Sequence, residues 1–245
     1  MMRAALLGLA AFLVVLLVRL PARWFTPLLP AAAQCQTASG TVWRGACEGL
    51  SLSDGKSKPL VLQQLRWNVH PASLFRGRLA ADVETRSDWG QARADVSLGF
   101  GSRLMINSLS ADGTLDRQLL AVLPSGWTGR FQARDVSIDM QQRRLLSLKG
   151  AASVQGLQNG TGEPYGDFQL QMAPEGQTPG AGELRDTGGP IQLSARVLIN
   201  PDLTWTLDGM VGTRAGQLPQ LQKQLEILGA PDANGRRPLS VSGYF

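Results

Sequence analysis

The chain has 245 residues, 43% of them apolar, and a formal net charge of +5 from 24 basic and 19 acidic side chains. The basic residues are scattered, as in the single pairs Arg143–Arg144 and Arg236–Arg237 without interleaved aromatics, which excludes the clustered stripe of a nucleic-acid interface. A single histidine and two cysteines are too few ligands to close a tetrahedral zinc site.

The first predicted element is an amino-terminal apolar helix. From Ala4 to Val18 the chain carries no polar side chain, a stretch of about 22 Å at the helical rise. Arg3 and Arg19 bracket the run and can snorkel outward, so that Met1, Met2 and Leu20 extend the span. Arg23 and Trp24 then fall at interfacial depth. An apolar run of this length also fits a cleaved signal peptide. The uncleaved signal-anchor is preferred, because "LPA" at 20–22 puts a large leucine where a cleavage site wants a small residue, and "AAA" at 31–33 lies too far downstream. Residues 1–23 are thus read as the cytoplasmic end and transmembrane anchor, 24–39 as a linker, and 40–245 as one β-rich domain.

Cys35 and Cys47 come next. Their spacing is not that of a thioredoxin-like redox pair, and an isolated pair of cysteines fits one bridge in an oxidising compartment. A disulfide on a turn is expected, with two free buried thiols as the alternative. In the chain-entropy model so short a loop gives about 3 kcal/mol.

Beyond the cysteines the chain is written for strands, with period-two alternation between glycine, proline or aspartate breaks. Leu65, Trp67 and Val69 share one face, as do Leu79, Ala81 and Val83. Ala92, Ala94, Val96, Leu98 and Phe100 form a third set. In "RFQARDVSIDM" the phase slips between Ala133 and Val136, which predicts a bulge in a curved sheet. Phe168, Leu170 and Met172 follow, then Ile191 to Ile199 at every second position, Leu203, Trp205 and Leu207, and finally Leu239, Val241 and Phe245. One apolar face per strand means an antiparallel sheet.

Helices are few. "GQLPQLQKQLEILG" places Leu218, Leu221, Leu225 and Leu228 at helical spacing, with Pro219 in the first turn and Gly229 as a stop. "TLDRQLLAVLP" allows a second short helix with Thr114 as its cap. Neither can cover a sheet of nine or so strands, so the sheet must curl, fold into a sandwich or hold something apolar. The fold class expected is therefore mainly β: a transmembrane helix followed by a curved antiparallel sheet with one or two short helices. The glycine- and proline-rich stretch 174–190 reads as a surface loop and hinge.

A search for reactive groups yields no catalytic, cofactor-binding or metal-binding residue. His70 has no partner that spacing identifies, and no G-x-S-x-G elbow occurs. "GLQNGTG" lacks the Lys-Ser/Thr and following helix of a phosphate loop. Glu163, Glu183 and Asp186 read as loop carboxylates with no assignable acid–base pairing. Trp43, Trp67, Trp89, Trp127 and Trp205 read as core anchors, although such rings can also line a groove. No enzyme and no cofactor are expected.

Several segments, in order along the chain, carry a resemblance. They are "LPA" (Leu20 to Ala22), "GTVWRG" (Gly40 to Gly45), "LRWNVHPASLFRGRL" (Leu65 to Leu79), "GGPIQL" (Gly188 to Leu193) and "LGAPDANGRRPLSVSG" (Leu228 to Gly243). Together they resemble the type II secretion system protein N family of Gram-negative bacteria. The resemblance implies a single-pass protein of the cell inner membrane, with residues 40–245 in the periplasm. It implies an accessory part of the machine that exports folded proteins across the outer membrane. Its implied partners are other secretion components, the secretin and the inner-membrane platform. The third segment is also similar to stretches of AsmA-type envelope proteins, which implies the alternative of an apolar groove that binds or bridges lipid. Val96, Leu98, Val197 and Trp205 would line such a groove.

Overall fold

The computed structural model describes residues 15–16, 19–24, 32–53, 59–115, 126–214 and 218–244. Most of the expected anchor, the helix expected over 114–124 and Phe245 lie outside the described residues. No described helix is long and apolar enough to cross a membrane. The chain divides into two compact units, Met1–Asp88 and Trp89–Phe245.

The first unit is an antiparallel meander of β1 (Ala33–Gly40), β2 (Arg44–Leu52), β3 (Leu60–His70) and β4 (Arg78–Ser87). β1 starts inside the stretch expected to be linker. Leu50 faces Leu62, and both are buried, while Cys47 faces Leu65 and Trp67 faces Val83. Between Glu48 and Leu50, Gly49 takes a left-handed φ of +67°. In an unbroken ladder Cys35, opposite Leu50, and Cys47, opposite Ala38, would point to opposite faces. The kink at Gly49 changes the phase of β2. The two Cα atoms come to 5.9 Å and the sulfurs to bonding distance, 2.02 Å.

The second unit holds nine strands: β5 (Gly90–Gly99), β6 (Arg103–Thr114), β7 (Thr128–Gln141), β8 (Arg144–Gln158), β9 (Pro164–Glu175), β10 (Thr178–Gly188), β11 (Ile191–Ile199), β12 (Thr204–Thr213) and β13 (Arg237–Tyr244). Each pairs antiparallel with the next. Thr114 ends β6, where its backbone is paired with Arg130, and residues 116–124 of the helix expected after it lie outside the described residues.

Bulges bend this sheet. The register slips between Arg134 and Ser137, where Asp135 has a left-handed φ of +51°, at the position the sequence phase predicts. A second slip lies between Arg93 and Asp95, opposite β6 where Ser108 is left-handed. Before it the expected facing of β5 holds, and beyond it the facing is reversed. Ala94 and Ser97 are buried, whereas Leu98 is 49% and Phe100 86% exposed.

The curvature turns the apolar face inward on itself. The Leu145 amide of β8 donates to the Pro201 carbonyl beyond β11 (2.9 Å), and a Cβ on Gly180 would lie 3.3 Å from Leu148 of β8. Leu145, Met172 and Ile199 form the buried cluster there, joined by Val197, Leu203 and Trp205. At the other end of the same face, Ile191 and Val211 are covered by Leu218 and by the short helix α1 (Pro219–Leu225) and its 3-10 continuation, which stops at Gly229 (φ +111°). That helix and its stop lie where the sequence places them.

The stretch 174–190 is not a loop. It forms the end of β9, a turn at Gly176 and the whole of β10. Its small residues serve close packing: Gly180 abuts Leu148 and Ile199, and a Cβ on Gly182 would lie 2.3 Å from the Gln171 carbonyl.

Candidate interaction surface

The segments singled out in the sequence build turns and strand ends. "GTVWRG" closes β1 on β2: the Thr41 amide donates to the Arg44 carbonyl (2.8 Å) and the Arg44 amide donates to Thr41 Oγ1 (3.1 Å). Trp67 Nε1 donates to the Val42 carbonyl (2.9 Å). "LPA" docks on that turn, because Pro21 bridges Thr41, the Val42 amide donates to the Leu20 carbonyl (3.0 Å), and Ala22 is buried.

The segment from Leu65 to Leu79 runs through β3, a 3-10 turn over Pro71–Arg76 and into β4. Ser73 Oγ donates to the His70 carbonyl (2.6 Å) and accepts from the Ala80 amide (3.0 Å), and Gly77 closes the turn in the left-handed region. His70 does have a partner: its Nε2 lies 2.8 Å from Asp82 Oδ1. The other Asp82 oxygen accepts from Asn68 Nδ2 (3.3 Å), and Asn68 Oδ1 accepts from Arg44 Nε (3.3 Å). This polar row crosses β2, β3 and β4. His70 and Asp82 are half exposed, and the row supports the pairing of the three strands.

"GGPIQL" is clasped by Arg214. Its guanidinium donates to the carbonyls of Gly189 and Ile191 and pairs with Asp186 Oδ2 at 2.7 Å. Asp186 and Glu183 therefore stand on β10 rather than in a loop. Glu163 ends a turn in which Asn159 Oδ1 accepts from the amides of Thr161 and Glu163 (3.0 and 2.9 Å). That accounts for the glycine-rich "GLQNGTG" as a self-satisfied turn.

"APDANGRRPL" folds around Asp232, whose Oδ1 accepts from the Arg236 and Asn234 amides (2.8 and 2.9 Å) and whose Oδ2 accepts from the Arg236 guanidinium. The Arg236 amide above all, with Asn234 and the guanidinium, holds the Asp232 carboxyl below the usual range. The Thr204 hydroxyl, followed by the Thr204 amide, does the same for Asp202 in the β11–β12 turn. Among the described residues no group of three or more His, Cys, Asp or Glu could hold a metal ion.

Beyond these turns the surface offers the terminal strand β13. Among the described residues it pairs with β12 alone, so one of its two backbone edges carries no described strand. Ser240 Oγ donates to Asp208 (2.6 Å), and Gly243 makes room for the Trp205 ring, which a Cβ would approach within 2.8 Å. Val241 and Tyr244 are 43% and 86% exposed. Trp43, Trp67, Trp89, Trp127 and Trp205 are all partly buried, and Trp127 packs on Tyr165 at 4.5 Å between ring centres.

A family model described as type II secretion system (T2SS), protein N matches residues 31–240. The type II secretion system protein N of Aeromonas hydrophila is 26% identical over 276 aligned residues, covering 98% of this chain and 96% of that protein. No solved structure matches.

Proposed function

We propose that this chain, which belongs to the type II secretion system protein N family, is an accessory inner-membrane component of that system, a membrane-tethered periplasmic β scaffold that works through protein–protein contacts. The observation that carries the reading is β13, which among the described residues is paired on one side alone. An added strand from a partner would gain main-chain hydrogen bonds there without any particular side chain. The tether is supported by the apolar run from Ala4 to Val18, and an oxidising compartment by the apposed Cys35 and Cys47. The partners proposed are other secretion components, the secretin and the inner-membrane platform.

Val197 and Trp205, which a lipid trough would require at its lining, are packed into the inner cluster, and Leu98 faces outward. The protein-contact reading is therefore the one retained. To test it, a photo-crosslinking residue is placed at Ser242 of β13 in cells and at Gln171, on paired β9, as a control. Secretion components should be trapped from Ser242 in full-length protein, and much less after removal of residues 1–23. An absence of secretion components from the Ser242 adducts refutes the contact.

A further inference from the structure

We propose that the turn between β3 and β4 is a lipid-contacting tip, which seats Leu74, Phe75 and Leu79 at the headgroup boundary of the membrane that holds the amino-terminal segment. This rests on the tethered reading above. Phe75 is 95% exposed, Leu74 47% and Leu79 40%, so three apolar side chains stand in water on, and just after, a turn whose backbone is fixed by Ser73 and Gly77. Arg76 and Arg78 alternate with it, both exposed, and no carboxylate occurs between Pro71 and Ala81.

The place of the tip within the first unit is the second observation. The Val69 amide at the end of β3 donates to the Trp43 carbonyl (2.6 Å), and the neighbouring Val42 amide donates to Leu20. The apolar run ends at Val18, and the two residues from there to Leu20 can span at most about 7 Å. Leu20, two residues beyond the run, is therefore held beside the strand end that carries the tip. Arg19, Arg23 and Trp24, all exposed, belong to the same corner. Apolar side chains ringed by arginines and an interfacial tryptophan match an anionic lipid surface, where buried apolar area and basic charge add. A tip of this size is too small to anchor by itself. Beside an existing span it fixes how the first unit stands on the bilayer.

The test uses the full chain in nanodiscs of phosphatidylethanolamine and phosphatidylglycerol, with a nitroxide on Phe75→Cys or on Val61→Cys. Both native residues are exposed, so neither change should disturb folding, which circular dichroism checks. Val61 sits near the opposite end of β3, about 30 Å from His70 along the strand. At position 75, collision with oxygen should exceed collision with an aqueous nickel chelate several-fold relative to position 61. A Phe75→Cys label as open to nickel as the Val61→Cys label, or shielded from both reagents, overturns the tip. An alkaline carbonate wash separates the causes. Retention of the chain with an aqueous label sinks the tip alone, whereas release of the chain sinks the tether and the tip together.

Discussion

Gly49 and the two cysteines show how one backbone angle can bring two side chains to the same face of a ladder. A left-handed β2 residue changes the strand's phase, and without that change the two sulfurs would lie on opposite faces of the β1–β2 ladder. We expect Gly49→Val to cost about 2 kcal/mol or more, from the left-handed backbone alone, with further loss from crowding against Gln36. Urea unfolding checks this. In the same assay Cys47→Ser should lose about 3 kcal/mol, reductant should shift the parent protein equally, and it should leave the variant unmoved. Equal midpoints for the parent with and without reductant would mean that the thiols are free in solution. The cysteine spacing suggested the pair, but the kink that permits it was hidden, because a lone glycine in a strand pattern does not announce its φ.

At the scale of elements, the turns hold the strands in register. The Asp232 turn gathers two amides and a guanidinium on one carboxylate, which lowers its pKa. A depressed carboxyl pKa contributes stability that is complete above the unfolded-state value near 4 and declines as pH falls through the folded-state value. The protection factors of the Asn234 and Arg236 amides should accordingly fall below about pH 4, and in Asp232→Asn they should be low already at neutral pH. Unchanged protection in that variant would show that the turn is held by its flanking strands. The Asp-Ala-Asn-Gly run of this turn is made of residues that favour turns. The stretch 174–190 misled the same logic, because glycine answers equally to a turn and to a crowded concave face.

For the second unit as a whole, stability depends on a single apolar face curled on itself. Ala195 lies on that face between the two clusters, buried at 6% exposure and paired with Gly209. A Cβ on Gly209 would lie 2.3 Å from the Ser194 carbonyl, so the centre has no room to spare. Ala195→Asp should cost at least about 3 kcal/mol, since it leaves a buried charge without a partner. Ser194→Asp, on the exposed face, should change stability by less than about 0.5 kcal/mol in the same denaturant titration. Similar costs at both positions would mean that the strand's faces are assigned wrongly. From the sequence alone came the strand-rich class, the antiparallel pairing, the bulge in β7 and the α1 helix, because each follows from side-chain period over a few neighbours. The facing of Leu98, the partner of His70, the burial of β10 and the clasp of Arg214 on the Gly-Gly-Pro turn were decided by tertiary structure. They depend on how far bulges bend the sheet and which distant strands then meet, and no local periodicity encodes that.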